Sequence, residues 1–284
     1  MNLTGKTALI TGGGRGIGRA IAERYAAMGV RISLVARSEA ELAAAAEAIQ
    51  KKSGAPVLHI TADVSNETEV QRAVQQTKQA LGKIDILVNC AGVIGPIGPL
   101  AEIDGAEWAK AIQINLTGTF YAIKAVLPIM QRQGSGRIIN FSGGGALLPA
   151  PFFDAYSVAK AGIVRLTENL ALELNGTGTL VFAIAPGAVN TKMFDDMMQA
   201  GKEKVGPEIW QSFVRRKAAG GDPIDEPVAL AVYLATEEAA WAHGRVISAK
   251  WDPWQTLTDH REEIADTDLY TMRRIVPRDR GFTW

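Results

Sequence analysis

Thr7-Ala8-Leu9-Ile10-Thr11-Gly12-Gly13-Gly14-Arg15-Gly16-Ile17-Gly18 places an apolar strand, a glycine loop and a helix start in direct succession. Glycine lets the backbone take positive φ and approach a ligand closely, and free N–H groups at a helix start attract an anion. The stretch therefore reads as a phosphate cradle, with Gly12, Gly14, Arg15, Gly16, Ile17 and Gly18 as its candidate contacts. The general dinucleotide fingerprint has glycines at i, i+2 and i+5, and no triplet here fits it. Gly12, Gly16 and Gly18 follow i, i+4 and i+6 instead.

Working outward, nearly all-apolar runs at 7–11, 31–36, 57–61, 84–89, 137–141, 179–184 and 245–248 alternate with amphipathic segments at 16–28, 39–51, 67–81, 105–132 and 156–174. Apolar strands alternating with helices predict an α/β fold, a single doubly wound domain with a parallel seven-stranded sheet over residues 1–250. Residues 251–284 are expected to form a C-terminal extension packed on the domain or on a neighbouring subunit. With 30 basic and 30 acidic residues the charges cancel, so composition offers no general attraction to nucleic acid or to a membrane. No apolar run is long enough for a span, the start resembles no secretory signal, and Cys90 is the only cysteine, which together predict a cytoplasmic protein. His59, His243 and His260 have no metal-ligand spacing, and no metal is expected.

Ligands on such sheets bind beyond the carboxyl ends of the strands. The second strand ends at Ala36-Arg37, where an acid would hold the ribose hydroxyls of NAD; Arg37 stands there instead. A guanidinium suits a 2′-phosphate, and Arg15 offers a second charge, so NADP(H) is favoured, with NAD(H) the alternative. Ser38 and Glu41 read as a capping box. Asp63 and Val64 follow the third strand as candidates for the adenine side, Asp63 also being a candidate cap. Asn89, Ala91 and Gly92 close the fourth, where small residues let backbone approach a nucleotide.

Tyr156 and Lys160 stand at i and i+4, which puts a phenol and an ammonium on one helix face. A phenol titrates near ~10, and a neighbouring cation brings it toward useful acid/base work. With this pair on the page, the glycine spacing resembles the TGxxxGxG loop of the short-chain dehydrogenase/reductases, Asn89-Cys90-Ala91-Gly92 resembles their NNAG motif, and the resemblance extends from about Leu3 to Ser248. It implies a Rossmann-type fold, a small-molecule carbonyl or alcohol substrate, homodimers or homotetramers, and an Asn-Ser-Tyr-Lys tetrad. Tyr156 is then the acid/base, Lys160 lowers its pKa and binds ribose, and Asn115 holds a helix kink and a water. Pro186, Gly187, Val189 and Thr191 match the segment covering the nicotinamide.

Two departures stand out. The family's serine is 13 residues before the tyrosine, where this chain has Gly143; Ser142 is 14 before. The run Gly143-Gly144-Gly145 is expected to let the loop bring the Ser142 hydroxyl to the substrate, the alternative being a site short of one donor. The chain also continues past the last strand through Trp251 and Trp254 to Trp284, which the family does not explain. An NADP-dependent carbonyl reductase or alcohol dehydrogenase is the favoured reading; an NADP-binding regulator with little catalysis is the alternative.

Overall fold

The computed structural model describes residues 2–284. Seven parallel strands, β1 (Thr7–Thr11), β2 (Arg31–Ala36), β3 (Val57–Thr61), β4 (Ile86–Asn89), β5 (Gly136–Phe141), β6 (Thr179–Ala185) and β7 (Val246–Ser248), form one sheet in the order β3-β2-β1-β4-β5-β6-β7. The helices are α1 (Gly16–Ala27), α2 (Glu39–Ser53), α3 (Glu67–Leu81), α4 (Gly105–Ile112), α5 (Gly118–Gln133), α6 (Asp154–Glu173), α7 (Lys192–Gln199), α8 (Lys202–Ala218), α9 (Asp225–Leu234) and α10 (Arg261–Ala265). Apart from the half-exposed edge strand β3, the near-continuous apolar strands are buried on both faces, and two large clusters flank the sheet. One gathers Ile10, Leu34 and Ile184 with α1, α2 and α9; the other gathers Leu9, Leu87 and Val181 with α3 and α5.

The expected continuous helix over 105–132 is broken: Gln113–Thr117 form a π-turn between α4 and α5. The Ser38–Glu41 box is half formed. Ser38 Oγ accepts from Glu41 N at 3.3 Å, but the Glu41 carboxylate turns to Arg15 at 2.9 Å, because a full cationic partner outcompetes a backbone amide.

Residues beyond β7 pack on the domain. Trp254, Leu257 and Ile264 join the first cluster, and the Trp254 ring lies 5.5 Å from that of Tyr233. The buried Arg245 donates to five carbonyls: Trp241 at 3.2 Å, Ile264 at 2.7 Å, Ala265 at 3.3 Å, Thr267 at 3.2 Å, and Leu269. Val246 N donates to Tyr270 O at 2.9 Å, and Ser248 N to Asp252 Oδ2 at 2.7 Å. Trp251 is exposed, with Lys250 Nζ 4.6 Å above its ring.

Candidate active site

Because all strands run parallel, their carboxyl ends bring the glycine loop, Arg37, Asp63, Asn89–Gly92, Ser142–Gly143 and 186–191 to one edge of the sheet. Gly12 (φ 68°) and Gly16 (φ 55°) are left-handed, which only glycine adopts at little cost. The loop is tightly packed as well: a Cβ on Gly12 would lie 2.8 Å from the Ala91 backbone, and one on Gly18 2.5 Å from Gly12 O. On the open side, a Cβ on Gly16 would meet nothing nearer than Thr191 Cγ2 at 3.7 Å. Arg15, the N-cap of α1, supplies no side-chain cap, so the first-turn amides stay available to an anion. This cradle fits a dinucleotide pyrophosphate.

At the end of β2, the half-exposed Arg37 guanidinium lies 3.9 Å from Asp63 Oδ2. The other Asp63 oxygen accepts from Ser65 N at 2.9 Å and Ser65 Oγ at 2.7 Å, while Asn66, not Asp63, caps α3. The Val64 side chain is buried against α5, where a Cβ on Gly118 would strike it at 2.9 Å, so Val64 has only its backbone to offer a ligand. Asn89 Nδ2 donates to Asn140 Oδ1 at 2.9 Å, fastening β4 to β5.

Asn115 sits inside the π-turn and is fully buried. Its Nδ2 donates to Val93 O at 2.9 Å and Ala111 O at 3.0 Å, and its Oδ1 accepts from Val93 N at 3.0 Å. The side chain thus bonds both groups of a residue on the loop after β4, and the wider helical turn makes room for it. On α6, Tyr156 and Lys160 share a face, with Lys160 Nζ 5.5 Å from the Tyr156 ring centre and donating to Phe141 O at 2.7 Å.

The Ser142 expectation is corrected. Its hydroxyl is buried and donates to Lys160 O at 3.3 Å, so the glycine run does not bring it to Tyr156. The residue facing the phenol is Gly143, whose Cβ would lie 2.8 Å from Tyr156 Oη. The electrostatics also differ from the expectation that Lys160 lowers the Tyr156 pKa. Burial pushes Tyr156 up to about 12, reinforced by Cys90 and opposed by Arg216, while burial brings Lys160 down to about 8. Desolvation disfavours both charged forms, and it is the largest influence on each.

An apolar wall adjoins Tyr156, built from Ile94, Ile97, Phe153, Phe194, Val205 and Phe213. Its neighbour Phe152 is a non-glycine residue at φ 73°, backbone strain of the kind held at ligand sites. The 186–191 segment turns at the left-handed Gly187, and Ala188 N donates to Asp222 Oδ2 at 2.5 Å. Asp222 also pairs with Lys250, so one carboxylate joins this segment to the residues after β7. Arg216 of α8 donates from Nη2 to Val189 O at 2.7 Å and stacks 3.9 Å from the Phe194 ring centre. Sequence reasoning missed Arg216 and Asp222. Arg215-Arg216-Lys217 reads as ordinary cations at a helix carboxyl end, and nothing local marks Asp222.

With the glycine cradle and the Tyr–Lys face in place, comparison with known proteins settles the lineage. The short chain dehydrogenase family model matches residues 6–201. The chain belongs to the short-chain dehydrogenase family. This short-chain dehydrogenase is 36% identical to levodione reductase of Leifsonia aquatica over 248 residues, covering 86% of this chain and 92% of that protein. It is also 36% identical to D-beta-hydroxybutyrate dehydrogenase of Cupriavidus necator over 249 residues, covering 86% and 96%. The crystal structure of levodione reductase superimposes with a TM-score of 0.80 at 35% identity, over 89% of this chain and 98% of that one. That of NAD+-bound xylitol dehydrogenase gives 0.81 at 28% identity, over 87% and 98%. Membership makes this short-chain dehydrogenase an oxidoreductase of alcohol or carbonyl groups with a nicotinamide cofactor. Among the described residues, no helix is long and apolar enough to cross a membrane.

Proposed function

We propose that the protein is an NADP(H)-dependent oxidoreductase interconverting a ketone and a secondary alcohol, with Tyr156 as the proton donor and acceptor. The observation that carries this reading is the Tyr156–Lys160 face, its lysine buried and its phenol half-buried beside an apolar wall. When bound, the nicotinamide supplies or takes the hydride. The α1 amides and Gly12, Gly14, Gly16, Ile17 and Gly18 hold the pyrophosphate, and Arg37, aided by Arg15, the 2′-phosphate. Asp63 and the Val64 backbone would serve the adenine side, Asn89, Ala91 and Gly92 the nucleotide, and Pro186, Gly187, Val189 and Thr191 the nicotinamide. Lys160 holds ribose and places a positive charge beside the phenol. Asn115 is a positioning residue that keeps the post-β4 loop and the π-turn together.

Levodione reductase and D-beta-hydroxybutyrate dehydrogenase support a carbonyl or secondary-alcohol substrate by their names. Exposed Phe120 on α5 and Val158 and Leu172 on α6 support self-association through these helices, which light scattering tests directly. The function is tested by following reduced-nicotinamide absorbance across ketones and keto acids with each cofactor. Turnover with NADPH is expected; none with either cofactor would leave only a nucleotide-binding protein.

A further inference from the structure

Arg216 is out of place for a helix-end cation. Its guanidinium lies against Phe194 in the apolar wall beside Tyr156, one N–H holds Val189 O, and Nε is buried with no hydrogen-bond partner. The carboxylate whose charge it feels, Asp222, is bound by Lys250 and Ala188 N. A buried donor without an acceptor is costly unless a ligand completes it. The half-buried Arg216 therefore brings a positive charge, with one N–H left without an acceptor, to the apolar cluster beside Tyr156.

We propose that Arg216 receives a carboxylate of the substrate, so that the compound reduced here is a keto acid with an apolar body. This rests on the oxidoreductase reading above and names its substrate class. A guanidinium matches a carboxylate in charge and planarity, and a phosphate with nearly two charges would want a second cation, whereas Lys160 is held at Phe141 O. The apolar wall takes the rest of the molecule. The carbonyl then faces Tyr156, whose proton goes to the oxygen as the carbon accepts hydride from the reduced nicotinamide, giving a hydroxy acid. The influence of Arg216 on the Tyr156 proton agrees with the two groups serving one small ligand.

The test uses phenyl-substituted 2-, 3- and 4-oxo acids, each paired with its methyl ester, with the intact protein and NADPH. The wild type is expected to prefer at least one acid to its ester. In Arg216→Met the acid-to-ester ratio of kcat/KM falls about ten- to a hundredfold, the scale of a charge-assisted hydrogen bond, and Arg216→Lys recovers part of it. Calorimetry of 3-phenylpropionate against 3-phenylpropionamide on the NADP+-loaded protein should show the same change in ratio. A wild type that reduces esters and neutral ketones but shows no preference for any acid overturns the proposal while leaving the oxidoreductase reading intact. An unchanged ratio in Arg216→Met also overturns it, since a mere clamp on Val189 affects acid and ester alike. Absence of turnover on every carbonyl with both cofactors removes the underlying reading instead, and the proposal with it.

Discussion

Gly143 and Tyr156 face each other so closely that a Cβ on the glycine would lie 2.8 Å from the phenol oxygen and 3.4 Å from two ring carbons. At φ −177° the backbone itself accepts any residue, so the glycine is required by space beside the phenol and not by its own conformation. Ser142, one residue earlier, points its hydroxyl the other way, into Lys160 O.

This arrangement reverses the usual expectation for a serine next to such a tyrosine. Ser142→Ala should keep kcat/KM within about threefold while lowering stability by about 1 kcal/mol, the net worth of one hydrogen bond. Gly143→Ala should lower kcat/KM by about tenfold or more, since small misplacements of a reacting group are expensive. Steady-state kinetics with thermal melts checks both; a parent-like Gly143→Ala would show that the phenol has room to move.

Tyr156→Phe should leave cofactor affinity near normal and reduce turnover by at least about a hundredfold, the lower end of general acid/base contributions. Fluorescence titration of NADPH alongside rate measurements separates the two. Parent-like turnover would take the proton away from Tyr156.

Lys160 makes the cofactor-free protein sensitive to pH. Its folded pKa of about 8 lies below the ordinary 10.5, so between those values the unfolded chain holds more protons than the native one and stability rises with pH. The native state should gain on the order of 2 kcal/mol from pH 8 to 10 relative to Lys160→Met. Above pH 10 the raised Tyr156 value acts in the opposite sense, because the unfolded phenol ionises first. Denaturant melts across this range decide it; parallel pH curves for parent and variant would contradict the burial of Lys160.

Cofactor choice turns on the end of β2. Ala36→Asp combined with Arg37→Ile supplies a ribose acceptor and removes the phosphate donor. The NADP-to-NAD ratio of kcat/KM should fall about ten- to a hundredfold. An unchanged ratio would make Arg37 no more than the neighbour of Asp63.

The sheet was readable because most strands are nearly all-apolar runs, interrupted only by single polar residues such as Ser33, His59 and Asn140, and burial on both faces leaves that signature in a single segment. Ile84–Asn89 starts two residues late in the structure, a detail that pairing with β1 decides. The break at Gln113–Thr117 was marked only through Asn115, which the family resemblance tied to a helix kink; the π-turn itself was not readable locally, since its partner Val93 lies 22 residues from Asn115. The motif residues of the site could be named from spacing, but the direction of a side chain such as Ser142 depends on which face of β5 it leaves. Arg216 was invisible for the same kind of reason, since Phe194 and Val189 reach it only through the folding of 186–199.

The hydrogen bonds beyond β7 bear on how copies of this chain meet. A parallel strand at the margin of a sheet presents its outward amides as a template for a further strand. In β7 the amides of Val246 and Ser248 are already bonded to Tyr270 O and the Asp252 carboxylate. Arg245, with its five carbonyls, fixes the covering segment in place. The chain therefore ends its own sheet on this side: strand-to-strand growth into a second molecule through β7 is closed.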